Sequence, residues 1–236
     1  MKNFILFLGL ATLLSCSQTK KVEETTSLDC EIIKTLLSND KIPIIKNFHE
    51  LYQMDSLEDF LLSNYDYDTF TYSYLARIPF NLNNGKIENG PGSTPVDVRI
   101  HTALKHPEYA YKMTPTPFNI FVNQTKTRLG TKFIPKDSLG FWLRTYYTLP
   151  DSSMQLNNMY TGMSLSWDRN MNFSRFEETL GLCINSFVET MNAHSLYRFD
   201  SPICAVERPN YLDYMKKKYF FVLYLELDLC VKKSDQ

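Results

Sequence analysis

The sequence predicts an α+β (or α/β) fold, with a small N-terminal helical segment followed by a mixed sheet that carries its helices on one face. Three observations predict it. Apolar residues recur at helical spacing from Leu28 to Met54. From Phe118 onward, helix-period segments alternate with short strand-period runs. The chain then closes on its strongest strand pattern, Tyr219 to Val231. Interleaved helices and strands form a layered fold in which each helix buries its apolar stripe on the sheet.

The elements follow in order. Ile32, Ile33, Leu36 and Leu37 share one helical face, and Ile44, Ile45, Phe48, Leu51 and Tyr52 share a second. Pro43 separates the two, because a first-turn proline is tolerated where an interior one is not. Ser56 starts a third short helix with Leu57, Phe60 and Leu61 inward. Residues 68–80 switch to strand chemistry. Asn81 to Pro95 is rich in Gly, Asn and Pro, and its Asn-Gly pairs at Asn84 and Asn89 are turn signals. It is read either as a hairpin with a long tip or as a linker, with the boundary reading favoured. Val96 to Ile100 alternates as a return strand. Phe118 to Val122 and Thr131 to Ile134 are strands, and Asp137 starts a helix to Tyr147 with Leu139, Trp142, Leu143 and Tyr146 inward. Met159 to Trp167 is a strand. Ser174-Arg175-Phe176-Glu177 is a capping box that opens a helix to about His194. Pro209 opens a short helix before the last strand.

These signals divide the chain into a signal peptide (1–15), a tether (16–27), N-terminal helices plus a strand (28–80), a loop-rich segment (81–117) and a C-terminal α/β body (118–236). The signal peptide has three sections. Lys2 is the positive start, Phe4 to Leu14 is the apolar core, and small Ser15 precedes Cys16. The apolar run falls short of the about 20 residues a spanning helix needs, which marks a targeting segment. Leu13-Leu14-Ser15-Cys16 resembles the lipobox of bacterial lipoproteins. The resemblance implies cleavage before Cys16, a diacylglycerol on its thiol and an acyl chain, such as palmitate, on the new amino group. Two or more chains anchor a protein stably where one does not. Ser17 stands where an Asp implies inner-membrane retention, so the implied location is the cell envelope, more specifically the outer membrane. Ser17 to Ser27 (SQTKKVEETTS) is polar and of mixed charge, the composition of a flexible tether.

Composition narrows the function classes. The formal net charge of −1 leaves no basic footprint for nucleic acid. The 15 Tyr and 16 Phe supply strand cores and surfaces on which a sugar or peptide can stack. Tyr65, Tyr67, Phe70, Tyr72 and Tyr74 are the densest cluster, and the period-2 spacing of Phe70, Tyr72 and Tyr74 reads as one face of a strand. Beyond Cys16 the cysteines are Cys30, Cys183, Cys204 and Cys230. An exported chain meets an oxidising compartment, so all four are disulfide candidates with three connectivities open. Cys183–Cys204 closes the shortest loop and Cys30–Cys230 ties the ends.

No motif carries chemistry. His49-Glu50 does not extend to a zinc-binding HExxH, since Gln53 stands where the second His belongs. His101 and His106 do not share a helix face, and His194 has no ligand near it in sequence. Asp168-Arg169-Asn170-Met171-Asn172 has the opening spacing of a calcium loop, but Phe173 replaces the required Gly. It reads as a polar turn. Gly162-Met163-Ser164-Leu165-Ser166 misses the last Gly of a nucleophile elbow. Asp55, Glu58, Asp59, Glu177 and Glu178 sit in helix first turns, where the dipole favours them. No cofactor or metal is expected.

The order ββαβα…β over residues 118–231 resembles the periplasmic domain of the ExbD/TolR proteins, with Trp167 to Phe173 at the turn between a strand and the second helix. The resemblance implies a domain that binds a peptide or partner by strand addition. The chain lacks that family's transmembrane helix and its acidic residue, so ion coupling is not carried over. The leading expectation is a non-catalytic protein- or peptide-binding envelope lipoprotein. The alternatives are an envelope hydrolase with a dispersed site, and an immunity or assembly factor for another envelope protein. The lipobox reading predicts that Cys16→Ser abolishes both membrane association and metabolic lipid labelling. Unchanged labelling of that variant overturns it.

Overall fold

The structure is a computed structural model, and it describes residues 30–38, 42–52, 54–68, 73–101, 118–147, 163–168, 170–207, 210–218, 221 and 223–227. The strands are β1 (Tyr67–Asp68), β2 (Ser73–Asn81), β3 (Ser93–His101), β4 (Phe118–Val122), β5 (Thr127–Leu129), β6 (Lys132–Ile134), β7 (Met163–Trp167) and β8 (Leu223–Leu227). The helices are α1 (Glu31–Leu37), α2 (Phe48–Leu51), α3 (Met54–Asn64), α4 (Leu139–Tyr147), α5 (Phe173–Phe199) and α6 (Tyr211–Lys218). All eight strands join one mixed sheet in the order β1-β2-β3-β8-β7-β4-β5-β6. The fold is α+β.

The middle of the sheet is parallel: β3 pairs with β8, β8 with β7, and β7 with β4. From β4 to β7 to β8 the chain steps in one direction along the sheet. Right-handed crossovers taken in one direction place their helices on the same face, and α4 and α5 are those two connections. The register shows which residues meet them. Val98 and Ile100 lie level with Ala76 and Tyr74, Ile100 with Leu225, Leu225 with Leu165, and Leu165 with Ile120. All are buried in one hydrophobic cluster that also contains Phe176, Leu180, Ile184, Phe187 and Met191 of α5. Trp167 stacks obliquely on Phe176 with ring centroids 4.8 Å apart, and Phe187 on Phe221 at 5.2 Å.

Several sequence expectations shift, each for a local reason. Residues 81–92 take the hairpin alternative. They are the tip of the β2–β3 hairpin, and both strands belong to the same sheet as the C-terminal body. Asn81 and Asn84 hold that tip by accepting hydrogen bonds from the N–H groups of Asn83 and Lys86. The helix expected to follow Pro43 is reduced to α2. Ile44 bridges to Arg77 on the edge of β2, and the N–H of Ile45 donates to the Arg77 carbonyl at 2.7 Å, which draws this backbone away from helix. The cap of α5 is Asn172, not Ser174. Its side chain accepts from the N–H of Arg175, and the helix runs five residues past His194 to Phe199. Asp168 accepts from the N–H of Asn170, so the segment before α5 is a polar turn. Leu139 and Leu143 of α4 are buried as expected, but Trp142 is exposed, being off their stripe. Tyr74 is buried against the edge of Tyr67. Phe70, Tyr72 and the side chain of Tyr146 lie outside the described residues.

The cysteine pairing also differs. Cys30 is bonded to Cys204, across 174 residues of sequence. Cys183 is free and buried. It sits on the core-facing stripe of α5, whereas Cys30 and Cys204 meet where α1 packs beside the 3-10 turn Ile203–Ala205. Cys16 and Cys230 lie outside the described residues. On the chain-entropy argument, closing so long a loop stabilises the fold by about 5 kcal/mol.

The packing of α5 is open to two tests. A Cβ on Gly181 would stand 2.9 Å from the Gly85 carbonyl and 3.6 Å from the Phe80 ring. Alanine in a helix interior normally gains about 1 kcal/mol over glycine, but here backbone must move. Gly181→Ala therefore costs about 1–3 kcal/mol net in urea unfolding, while Gly90→Ala, with nothing within 4 Å of its Cβ, stays within about 0.5 kcal/mol. Burial pushes the Cys183 thiol up to about 12. Iodoacetamide at mildly alkaline pH should leave Cys183 unmodified in the native chain and alkylate it in urea, as peptide mapping would show; rapid native labelling would place it elsewhere.

Candidate functional site

With the helices on one face, the opposite face of the sheet carries the odd residues of β2 and β3 and the alternate residues of the other strands. Their character is polar and aromatic. Register places Arg99 beside Tyr224, Tyr224 beside Ser164, and Ser164 beside Asn119. A second row runs from His101 through the Glu226 position to Ser166, Phe121, Arg128 and Phe133. At one side of this face Arg77 donates from Nε to Asp97 at 2.9 Å, and Arg99 pairs with Asp68 at 3.4 Å. His101 is buried and stacks on Tyr224, with centroids 4.9 Å apart and an interplanar angle of 23°.

The far side of the face ends at β6, whose outer backbone is unpaired among the described residues. The local sequence builds this edge. Asn123 Oδ1 accepts from the N–H groups of Thr125 and Lys126 and so closes the turn from β4 into β5. Gly130, at φ +56°, takes the left-handed conformation that the tight β5–β6 turn requires, and its N–H donates to the Asn119 carbonyl. Phe133 then projects into solvent, 63% exposed. The Arg128 guanidinium stands 4.9 Å from the Phe121 ring centroid, and Lys126 Nζ stands 5.3 Å from that of Phe133. The hairpin is fastened from the helix side. Buried Arg175 of α5 donates to Thr127 Oγ1 at 2.7 Å and to Glu178 at 3.3 Å, and Glu178 also meets Lys136 at 2.6 Å. Burial raises the Glu178 pKa, but the hydrogen bonds and charges of Lys136 and Arg175 outweigh it and hold the carboxyl below its ordinary value.

The other sequence candidates fall apart in space. His49 is exposed beside Glu50, and His194 is buried within α5. Glu177 accepts from the N–H of Ile87 and ties α5 to the β2–β3 hairpin. Glu58 is buried in α3, while Asp59 faces solvent. His106, Arg169 and Gly162 lie outside the described residues. Among the described residues, no three His, Cys, Asp or Glu side chains converge as a metal site would require.

Sequence reading missed β5, and with it the edge. The signal was present: Thr127-Arg128-Leu129-Gly130-Thr131-Lys132-Phe133 sets a glycine between two short alternating runs. Two further exposed rings, Phe141 and Trp142 on α4, meet edge to face at 5.7 Å. No known protein family, curated protein or solved structure matches the chain.

Proposed function

We propose that this chain is a lipoprotein of the bacterial cell envelope, anchored through lipid on Cys16, more specifically to the outer membrane, whose body is a non-catalytic module that binds a protein or peptide. The observation that carries the reading is the outer edge of β6, unpaired among the described residues, with Phe133 exposed beside it. Unpaired strand donors and acceptors are a template for an added strand, and exposed aromatic rings are the anchors interfaces use most. β6 is only three residues long and carries exposed Lys132, features that suppress indiscriminate pairing and favour a chosen partner. The Cys30–Cys204 disulfide supports the compartment, because such bridges persist in oxidising surroundings of the kind found outside the inner membrane. The order β4-β5-β6-α4-β7-α5-α6-β8 keeps a helix on either side of β7, as the ExbD/TolR resemblance implies, with β5 as an added strand. Partner binding at a sheet edge is all that is carried over from it.

Site-specific photocrosslinking in growing cells tests this. A photoreactive residue at position 133 should give a discrete adduct, and one at exposed position 197, on the last turns of α5, should not. No adduct from 133, or the same adducts from both positions, overturns the reading.

A further inference from the structure

The β6 edge carries charge of a single sign. From Lys126 to Lys136 the chain has Lys126, Arg128, Lys132 and Lys136 and no acidic residue. Lys136 is neutralised by Glu178. Lys126, Arg128 and Lys132 make no ion pair among the described residues. In a chain of net charge −1, three uncompensated cations within seven residues are a local concentration, not a reflection of composition.

Two of these cations are oriented without being neutralised. Arg128 lies over Phe121 and Lys126 over Phe133. A ring face attracts a cation through its quadrupole but carries no net charge, so each side chain is held in place while its full charge remains available to an anion. The Arg128 Nε is buried and has no hydrogen-bond acceptor among the described residues.

The arrangement also distinguishes a strand from a flat surface. Arg128 lies level with Phe133 on the face opposite the helices, whereas Lys132 lies level with Leu129 on the helix side. Lys126, two residues before Arg128, shares the Arg128 face. A planar membrane lying on either face meets only some of the set. A strand added along the edge of β6 sends alternate side chains to both faces and reaches all three.

The geometry points to an extended acidic peptide segment as the partner of this edge. It adds to β6 by backbone hydrogen bonds, with carboxylates facing Arg128 and Lys126 on one side and Lys132 on the other, and with an apolar side chain on the Phe133 ring. This rests on the binding-module reading above and names the chemistry of its partner. The contact is electrostatic in its selectivity, so salt weakens it.

Fluorescence anisotropy with the full chain in detergent tests it. The probe is a labelled octapeptide of alternating Glu and Val, and the control replaces Glu with Lys. The acidic peptide should bind saturably and the basic one should not. Affinity should fall about tenfold between low and high salt, and about tenfold in Lys126→Gln/Arg128→Gln. Lys132→Glu, an exposed site whose change leaves the core untouched, should weaken binding comparably. Equal binding of both peptides, or affinity unchanged in these variants, overturns the proposal. So does binding of monomeric short-chain phosphatidylglycerol without binding of the acidic peptide, which would make the patch a lipid contact. If the crosslink from position 133 forms while the acidic peptide does not bind, this inference fails and the binding-module reading stands.

Discussion

α5 is 27 residues long, about 40 Å at 1.5 Å per residue, and the rest of the molecule is arranged around how closely it approaches the sheet. At Gly181 the helix backbone comes against Phe80 and the Gly85 carbonyl, an approach with no room for a methyl group. At its start, Phe176 packs at once on Trp167 of β7 and Phe48 of α2. Its first turns reach the β2–β3 hairpin through Glu177 and β5 through Arg175. One helix therefore fixes the hairpin tip, the N-terminal helices and the edge strands relative to the central strands. Close packing of this kind makes such positions intolerant of even one added carbon.

Using one sheet face for all this packing decides the character of the other. The central strands β3, β8, β7 and β4 keep an unbroken apolar row toward the helices, and polar or small residues such as Ser164, Ser166 and Asn119 take the alternate positions. Toward β5 and β6 that second face ends in cations and rings. Arg175 links the two sides, since a buried guanidinium below the hairpin holds Thr127 in place while Arg128, the next residue, points the opposite way. A rigid edge loses less entropy on binding than a mobile one, which is why sites perform best on supported strands.

The disulfide addresses a separate weakness. α1 has seven residues, too few to be stable as an isolated helix. Burial of Ile33, Leu36 and Leu37 and the Cys30–Cys204 bond hold it instead, and the N–H of Phe221 donates to the Leu36 carbonyl just before β8. The covalent clasp thus sits immediately after the polar stretch that follows Cys16. In a lipid-anchored chain, pull from the membrane would reach the body at this bond.

The sequence by itself determined the fold class, the core-facing stripe of α5, the strands β4 and β7, and the polar turn from Asp168 to Asn172. These are local patterns of period 3.6 or 2, or side chains that bond their own neighbouring backbone. The tertiary structure alone decided that Asn81 to Pro95 turns back as a hairpin and not as a linker, that Cys30 meets Cys204, and that Asn172 caps α5. Each depends on which distant segments come together, and a glycine-rich tip reads alike in a hairpin and in a linker. The edge at β6 stands between the two. Its alternating basic and aromatic residues are in the sequence, but their meaning required the strand order, because only an end strand leaves its backbone free.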